Sequence, residues 1–233
     1  MVRIRFLGHS AFQLSTGTHE LLIDPFLRGN PKAAITPEDI VRSDAILVTH
    51  GHGDHLGDTV EIARRTGAQV IANFEICTWL QKQSVSCHSM HIGGAFAFPF
   101  GRVKMTPALH GSDLVGKDTV PGGAAGGFLL ELEGRKIYHA GDTGLSMEMH
   151  LLRDERIDLA MLPIGGNFVM DVRDALRALG FIRPAMAVPM HYDTFDVIRA
   201  DPEAFRSSPP EGTSVVVLKP GDCVELQPLC RGQ

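Results

Sequence analysis

The chain has 233 residues, 44% of them hydrophobic, and a net charge of −5. This length and composition predict a globular protein with a sizeable core, and the acidic balance argues against a dedicated nucleic-acid-binding protein. The N-terminal residues 1–7 are too few and too charged for a signal peptide, and no apolar run approaches the roughly 18 residues that span a membrane. We therefore expect a cytoplasmic protein without membrane insertion.

Alternating or apolar segments bounded by glycine, proline and polar residues predict strands, and segments with a 3.6-residue apolar period predict helices. In the first part of the chain, the predicted strands are 2–6, 11–14, 20–23, 44–49 and 69–72, and the predicted helices are 58 to about 66 and 74–83. The four cysteines show no C-x-x-C spacing, so we expect reduced thiols at Cys77, Cys87, Cys223 and Cys230.

The middle of the chain changes to short strands and glycine turns, and its last third returns to alternation of helix and strand. The predicted strands are 102–107, 128–132, 136–138, 157–163, 185–190 and 214–218, and the predicted helices are 147–153, 171–179 and 194–205. This order predicts an α/β fold, in which two similar halves (about 1–110 and 111–233) form a single domain. The two sheets would pack against each other with the helices outside.

Four residues able to bind metal lie within six positions, directly after the strand predicted at 44–49. These residues are His50, His52, Asp54 and His55. The period-2 spacing of His50 and His52 lets both imidazoles point the same way from an extended segment. So short a segment cannot easily surround one ion with all four side chains, and two adjacent ions would resolve this geometry. Imidazole and carboxylate together are ligands that zinc accepts.

Three further polar residues each follow an apolar strand. They are His110, Asp142 in the segment Ala-Gly-Asp-Thr-Gly, and His191 in Pro-Met-His-Tyr. If the strands are arranged alike, these residues lie at the same sheet edge as the histidine motif. They are therefore candidates for the missing ligands.

This pattern of His-x-His-x-Asp-His, a later His, Gly-Asp-Thr and a final His resembles the metallo-β-lactamase-fold hydrolases. The first of the five sequence elements of that superfamily is matched by Asp24 in Leu-Ile-Asp-Pro. The resemblance as a whole covers residues 2 to about 220. Gly8-His9-Ser10, the segment 24–27, Pro163 to Phe168 and the segment 189–192 look like the small prokaryotic branch of metal-dependent hydrolases. That branch is similar to ascorbate-phosphate lactonases and N-acyl-phosphatidylethanolamine phospholipase D enzymes. The resemblance implies a four-layer αββα sandwich.

The resemblance also implies a role for each candidate. His50, His52 and His110 would hold one divalent ion, Asp54, His55 and His191 would hold the other, and Asp142 would bridge them. A hydroxide between the two ions would attack an ester, lactone or phosphodiester, and Asp54 would orient it. Asp24 would support a ligand from outside the centre.

Two histidines keep open roles. His9 lies at a break between strands, where it could donate a proton, contact substrate or serve only a structural bond. His139 could pack inside its strand or support a ligand from behind. Zinc is the first expectation for the metal, while manganese, iron and nickel accept the same ligand mixture.

The sequence leaves the substrate and the oligomeric state open. We expect a small-molecule substrate and no nucleic acid, with the loops 28–39, 111–127 and 165–170 setting specificity, and a homo-oligomer is possible. Two alternatives remain: a non-catalytic metal-binding partner or sensor protein, and an RNA-processing nuclease, which the acidic charge disfavours.

Overall fold

The computed structural model describes residues 1–114 and 118–227, and its strands form two seven-stranded sheets. In this part of the chain the strands are β1 (Val2–Gly8), β2 (Ala11–Ser15), β3 (Glu20–Ile23), β4 (Ala45–Leu47), β5 (Gln69–Asn73), β6 (Cys87–Met90), β7 (Ala95–Phe98), β8 (Gly101–Pro107), β9 (Gly126–Leu132), β10 (Arg135–His139), β11 (Leu159–Pro163), β12 (Met186–Met190), β13 (Ser214–Val215) and β14 (Cys223–Leu226). The α-helices are α1 (Gly53–Leu56), α2 (Thr59–Thr66), α3 (Phe74–Lys82), α4 (Val172–Ile182) and α5 (Pro202–Ser207). Segments of 3-10 helix lie at Pro37–Asp39, Met147–Glu155 and Asp196–Ile198.

The first sheet has the order β14-β1-β2-β3-β4-β5-β6, and the second has the order β13-β12-β11-β10-β9-β8-β7. Alternate residues of β3 and β4 enter different cores, because successive side chains of a strand point to opposite faces. Leu21 and Leu47 belong to the large core shared by the two sheets, whereas Leu22 and Ile46 pack in a separate core with residues of α2 and α3. The α/β sandwich with helices outside is therefore confirmed.

Strand direction brings the candidate ligands to one edge. Strands β3, β4 and β5 run parallel to one another, as do β10, β11 and β12. Strand β9 is antiparallel to both β8 and β10, so these two also run in the same direction. His50 follows β4, while His110, Asp142 and His191 follow β8, β10 and β12, at the carboxyl ends where ligands bind in such sheets.

The helix predicted at 194–205 is wrong. The chain forms a 3-10 turn at Asp196–Ile198 and then the separate helix α5. Pro202 explains the break, since a residue before proline is disfavoured in the α region. Asp201 is extended (φ −92°, ψ 103°) and caps α5 by accepting a hydrogen bond from the Glu203 amide at 2.9 Å.

The predicted end of the helix at 171–179 is also wrong, because α4 continues through Gly180 to Ile182. Arg183 instead takes the left-handed conformation that ends the helix, and Pro184 follows it. The segment 147–153 forms a 3-10 helix that extends to Glu155.

The strands divide between the sheets after Met90, and the final strand β14 returns to pair antiparallel with β1. This four-residue strand was not predicted from the sequence pattern. The origin of the domain from two similar halves stays a prediction. In the described ranges, no helix has both the length and the apolar character needed to cross a bilayer. Cys77, Cys87 and Cys223 are free thiols, and Cys230 lies outside the described residues.

Candidate metal centre

The histidine motif begins as extended chain and ends in one turn of helix. His50 is fully buried just beyond β4, and His52 is the N-terminal cap of α1. Asp54 and His55 lie on α1, a four-residue helix that was not predicted from the sequence pattern. This turn brings Asp54 and His55 to a second cluster, while the His55 ring stays 4.1 Å from the His50 ring, so that the motif serves two adjoining clusters.

The first cluster consists of three imidazoles whose nitrogens converge. His52 Nδ1 lies 3.1 Å from His50 Nε2 and 3.2 Å from His110 Nε2. Donors around a tetrahedral zinc ion, with bonds of about 2.0–2.1 Å, are about 3.3 Å apart. The spacing of the three nitrogens therefore suits a common cation.

The second cluster combines residues from both sheets. Potential ligand atoms of Asp54, His55, His191 and His9 all lie within 4.8 Å of one another. His191 and His9 both adopt left-handed backbone conformations, with φ of +55° and +59°. Such conformations cost about 1–3 kcal/mol for residues other than glycine, and they persist where the surrounding structure holds them.

Asp142 lies between the two clusters. Its Oδ1 is 3.2 Å from His55 Nε2, and its Oδ2 is 2.9 Å from His191 Nε2 and 3.6 Å from His110 Nε2. One carboxylate thus faces ligands of both groups, which is the position a bridging ligand requires.

Gly141 permits the sharp turn that presents Asp142. Its φ is +61°, and a β-carbon at this position would lie 2.6 Å from the Gly126 carbonyl oxygen. Only glycine therefore fits between β10 and Asp142 without displacing the neighbouring backbone.

Asp24 fixes the motif from behind. Its carboxylate accepts hydrogen bonds from the Thr49 amide at 2.8 Å and the Thr49 hydroxyl at 2.6 Å, and it lies 2.8 Å from His55 Nδ1. This contact orients the ring so that Nε2 faces Asp142. Hydrogen bonds of this kind set the tautomer and basicity of metal-binding histidines.

His139 lies inside the fold, away from the two clusters of ligand atoms. Its Nε2 bonds to the Ser10 carbonyl at 3.0 Å, and its Nδ1 accepts the Gly141 amide at 3.1 Å. It therefore connects the backbone next to His9 with the backbone next to Asp142. Burial lowers the pKa of His139, which favours this neutral, bridging ring.

The charges of the centre are strongly coupled. Burial disfavours a charged imidazole at His55, but the carboxylates of Asp142 and Asp24 outweigh it and raise the pKa of His55 well above its usual value. Burial also disfavours the Asp142 carboxylate, yet His55 and His191 hold its pKa well below the usual range. Burial and the neighbouring His55 lower the pKa of His50, and burial lowers the pKa of His9 to about 4. These shifts favour neutral rings at His50 and His9 and an ionised Asp142, which are the forms that metals bind, whereas His55 must lose a proton to bind one.

Several buried polar atoms of the centre have no hydrogen-bond partner among the described residues. They are His9 Nε2, His55 Nε2, Asp142 Oδ1 and both ring nitrogens of His191. Orphaned buried polar atoms are costly in a folded protein. His9 Nε2, His55 Nε2, His191 Nε2 and Asp142 Oδ1 face the ligand clusters, which fits divalent cations there, so the residues present suit the metals that the sequence predicts.

The centre opens toward solvent at Asp54, whose side chain is 30% exposed, while His50 and His55 are fully buried. Exposed apolar side chains lie beside this opening. The Phe195 ring is 5.7 Å from the His9 ring and 42% exposed, and Leu109, next to His110, is 57% exposed.

The structure brings together all seven metal-ligand candidates together with His9 and Asp24. Sequence reasoning missed Thr194, whose hydroxyl lies 2.8 Å from His9 Nδ1. The two residues are 185 positions apart, and no sequence spacing signals their contact. The loop 111–127 contains residues 115–117, which lie outside the described residues, so its predicted role in specificity stays a prediction.

Comparison with known proteins adds independent information. A family model described as the β-lactamase superfamily domain matches residues 19–192. The chain is 54% identical over 210 residues to a UPF0173 metal-dependent hydrolase of Alkaliphilus metalliredigens, covering 88% of this chain and 92% of the relative. It is 49% identical to a protein of the same description from Carboxydothermus hydrogenoformans, covering 97% and 100% of the two chains. The solved structure of Igni18, a metallo hydrolase of Ignicoccus hospitalis, matches with a TM-score of 0.88 and 36% identity over 97% of this chain and 99% of that one.

Proposed function

The chain belongs to the β-lactamase superfamily and is a metal-dependent hydrolase, and we propose that it uses two divalent ions to cleave an ester, lactone or phosphodiester in a small molecule. The first ion would be held by His50, His52 and His110. The second would be held by Asp54, His55 and His191, with Asp142 between the two. Zinc suits this mixture of imidazole and carboxylate, and manganese, iron and nickel also accept it.

Two bound cations would supply a water that ionises near neutral pH and a positive field for the oxyanion that develops during hydrolysis. The chain's own residues orient the reaction. Asp54 is the partly exposed carboxylate of the centre, so it can accept a hydrogen bond from the attacking water and fix its direction. Asp24 keeps its negative charge away from the substrate and holds the His55 ring in place.

Asp142 carries this proposal, because its two carboxylate oxygens face histidines of both clusters at 2.9–3.6 Å. A buried carboxylate in a single-ion site would need only one such group of neighbours. The placement of one carboxylate between two ligand groups supports a dinuclear centre.

The apolar opening supports a substrate with a hydrophobic portion. Phe195 stands edge-on to His9 and lies 6.5 Å from the Phe26 ring, so two aromatic rings border the second cluster. An alkyl or aryl group next to the cleaved bond would bury against these rings, since removing apolar surface from water is favourable.

Replacement of the exposed carboxylate tests this function. We expect Asp54→Asn to lose more than about 100-fold of the turnover of simple aryl esters, lactones and bis-aryl phosphodiesters, in line with the loss of a group that positions the nucleophile. Asp196→Asn serves as the matched control, because Asp196 is exposed and, among the described residues, forms an ion pair only with Arg199. Unchanged turnover in Asp54→Asn would contradict the mechanism. Uptake of two ions without turnover of any of these substrates would favour the sensor alternative, and salt-sensitive RNA cleavage would favour the nuclease.

A further inference from the structure

His9 is held in a strained position that points it at the second cluster. It follows Gly8 at an irregularity in the pairing of β1 with β2, and its φ is +59°. Its carbonyl accepts a hydrogen bond from the His191 amide at 2.8 Å. The rings of His9 and His191 are 4.1 Å apart between centroids. Two residues in left-handed conformations, one beside each sheet, thus hold each other in place.

The ring nitrogen Nε2 of His9 has the same surroundings as those of His55 and His191. It is buried, lies 3.3 Å from Asp54 Oδ2, and has no aligned hydrogen-bond partner among the described residues. His55 Nε2 and His191 Nε2 share this state, at 3.2 Å and 2.9 Å from Asp142. A close carboxylate without a hydrogen bond is the arrangement expected when both atoms face a common cation.

The other ring nitrogen of His9 fixes which atom is free to bind. Nδ1 lies 2.8 Å from Thr194 Oγ1, and that hydroxyl donates to the Tyr192 carbonyl at 3.4 Å. With the hydroxyl proton directed to Tyr192, the oxygen accepts the Nδ1–H of His9. The Nε2 lone pair then faces Asp54, His55 and His191. The His55 ring is oriented in the same way, because its Nδ1 bonds to Asp24 and its Nε2 faces the centre.

We propose that His9 is a further protein ligand of the second ion, through Nε2, and that Thr194 is the residue that positions it. This inference rests on the proposed dinuclear centre. It replaces the proton-donor role for His9, because a donor must present an N–H toward the open side, whereas the His9 side chain is fully buried behind Asp54. The second ion would then have four protein ligands besides Asp142, against three for the first.

Metal titration of the full chain tests this role without any activity assay. His9→Asn is the variant of choice, since asparagine tolerates the left-handed backbone better than most residues. We expect its first zinc ion to bind with unchanged affinity and its second to bind at least about tenfold more weakly. Thr194→Val should weaken only the second ion, by about tenfold, while leaving the imidazole in place. His91→Gln, which changes an exposed histidine, should bind both ions as the wild type does.

Cobalt substitution gives a spectroscopic readout of the ligand itself. In the cobalt-loaded wild type, the Nδ1–H of His9 should give a hyperfine-shifted, exchangeable proton resonance that disappears in His9→Asn and changes its exchange rate in Thr194→Val. A folded His9→Asn chain that binds both ions like the wild type, with every shifted resonance retained, overturns the role of His9 alone. If the wild type takes up only one ion, the dinuclear centre fails and the role of His9 fails with it.

Discussion

Asp24 and His55 are joined at 2.8 Å between the carboxylate Oδ2 and the ring Nδ1, and both side chains are fully buried. Asp24 comes at the end of β3 with φ of +45°, and His55 lies on α1, 31 residues later. The same carboxylate binds the Thr49 amide and hydroxyl. One buried charge therefore joins the backbone of the histidine motif to the orientation of a proposed ligand.

Asp24→Asn should weaken metal binding at the second ion by about 10- to 100-fold, the usual effect of losing a partner that orients a metal-binding histidine. The amide side chain can still accept the Thr49 amide proton, so the loop should keep its shape. Calorimetric titration with zinc measures the effect. Asp171→Asn, which changes a carboxylate that caps α4 by accepting the Asp174 amide, is the control. Equal affinities for Asp24→Asn and the wild type would refute the role of Asp24.

Much of this centre follows from the sequence, because its residues cluster in one motif and at strand ends. His50, His52, Asp54 and His55 are adjacent, while His110, Asp142 and His191 each follow an apolar strand. Thr194 could not be found in this way, because its contact with His9 depends on how the two sheets pack. The sequence could place His9 near the site, but the partners of its two ring nitrogens are distant in sequence and are known only from the three-dimensional structure.

The errors in secondary structure have local causes. Gly180 has open space around it and no positive φ, so it remains inside α4 despite being a common terminator. The short strand β14 is defined by its pairing with β1. The paired residues are more than 200 positions apart in the sequence, and the local alternation of apolar residues does not indicate so distant a pairing. Asp58 occupies the N-terminal cap position of α2, yet its carboxylate accepts the Leu27 and Arg28 amides at 2.9 and 2.8 Å instead of an amide of the helix.

Metal binding should release a proton near neutral pH. The Asp142 and Asp24 carboxylates outweigh burial and raise the pKa of His55 above 6.5, so the metal-free chain holds a proton on the ring that the ion must displace. The apparent affinity should therefore increase with pH throughout the range below the raised pKa of His55 and level off above it. Calorimetry in buffers of different ionisation enthalpy counts the released protons.

We expect His55 to release a proton when metal binds at pH 7, and Asp24→Asn should reduce the number of protons released because it removes one of the two attracting charges. Binding that is independent of pH between 6.5 and 8 in the wild type would show that His55 is already neutral in the metal-free chain.

Gly141→Ala should lower the free energy of unfolding by about 1–3 kcal/mol, because the left-handed backbone is strained for alanine and the new methyl group meets the Gly126 carbonyl at 2.6 Å. Thermal and denaturant unfolding of the metal-free chain measure this change. Gly180→Ala is the matched control, since no atom lies within 4 Å of its added carbon. It should be stabilising by up to about 1 kcal/mol, as expected inside a helix. Equal stability of the two variants would contradict the tight turn at Gly141.

Phe195→Ala should raise the KM for esters with a long alkyl or an aryl acyl group by roughly 5- to 30-fold, corresponding to about 1–2 kcal/mol of lost apolar contact. The KM for an acetyl ester should change little, since it has no group to reach this ring. Val197→Ala is a control at a neighbouring exposed apolar residue. Equal effects on short and long substrates would show that Phe195 does not border the substrate.

The central claim is that one carboxylate, Asp142, lies between two bound ions. Elemental analysis of the purified and dialysed chain, compared with Asp142→Ala, tests it most directly. We predict close to two divalent ions per wild-type chain and a folded variant that retains at most one, with hydrolysis lost. A wild-type chain that is fully active with a single ion, or an Asp142→Ala chain that keeps two, would contradict the claim.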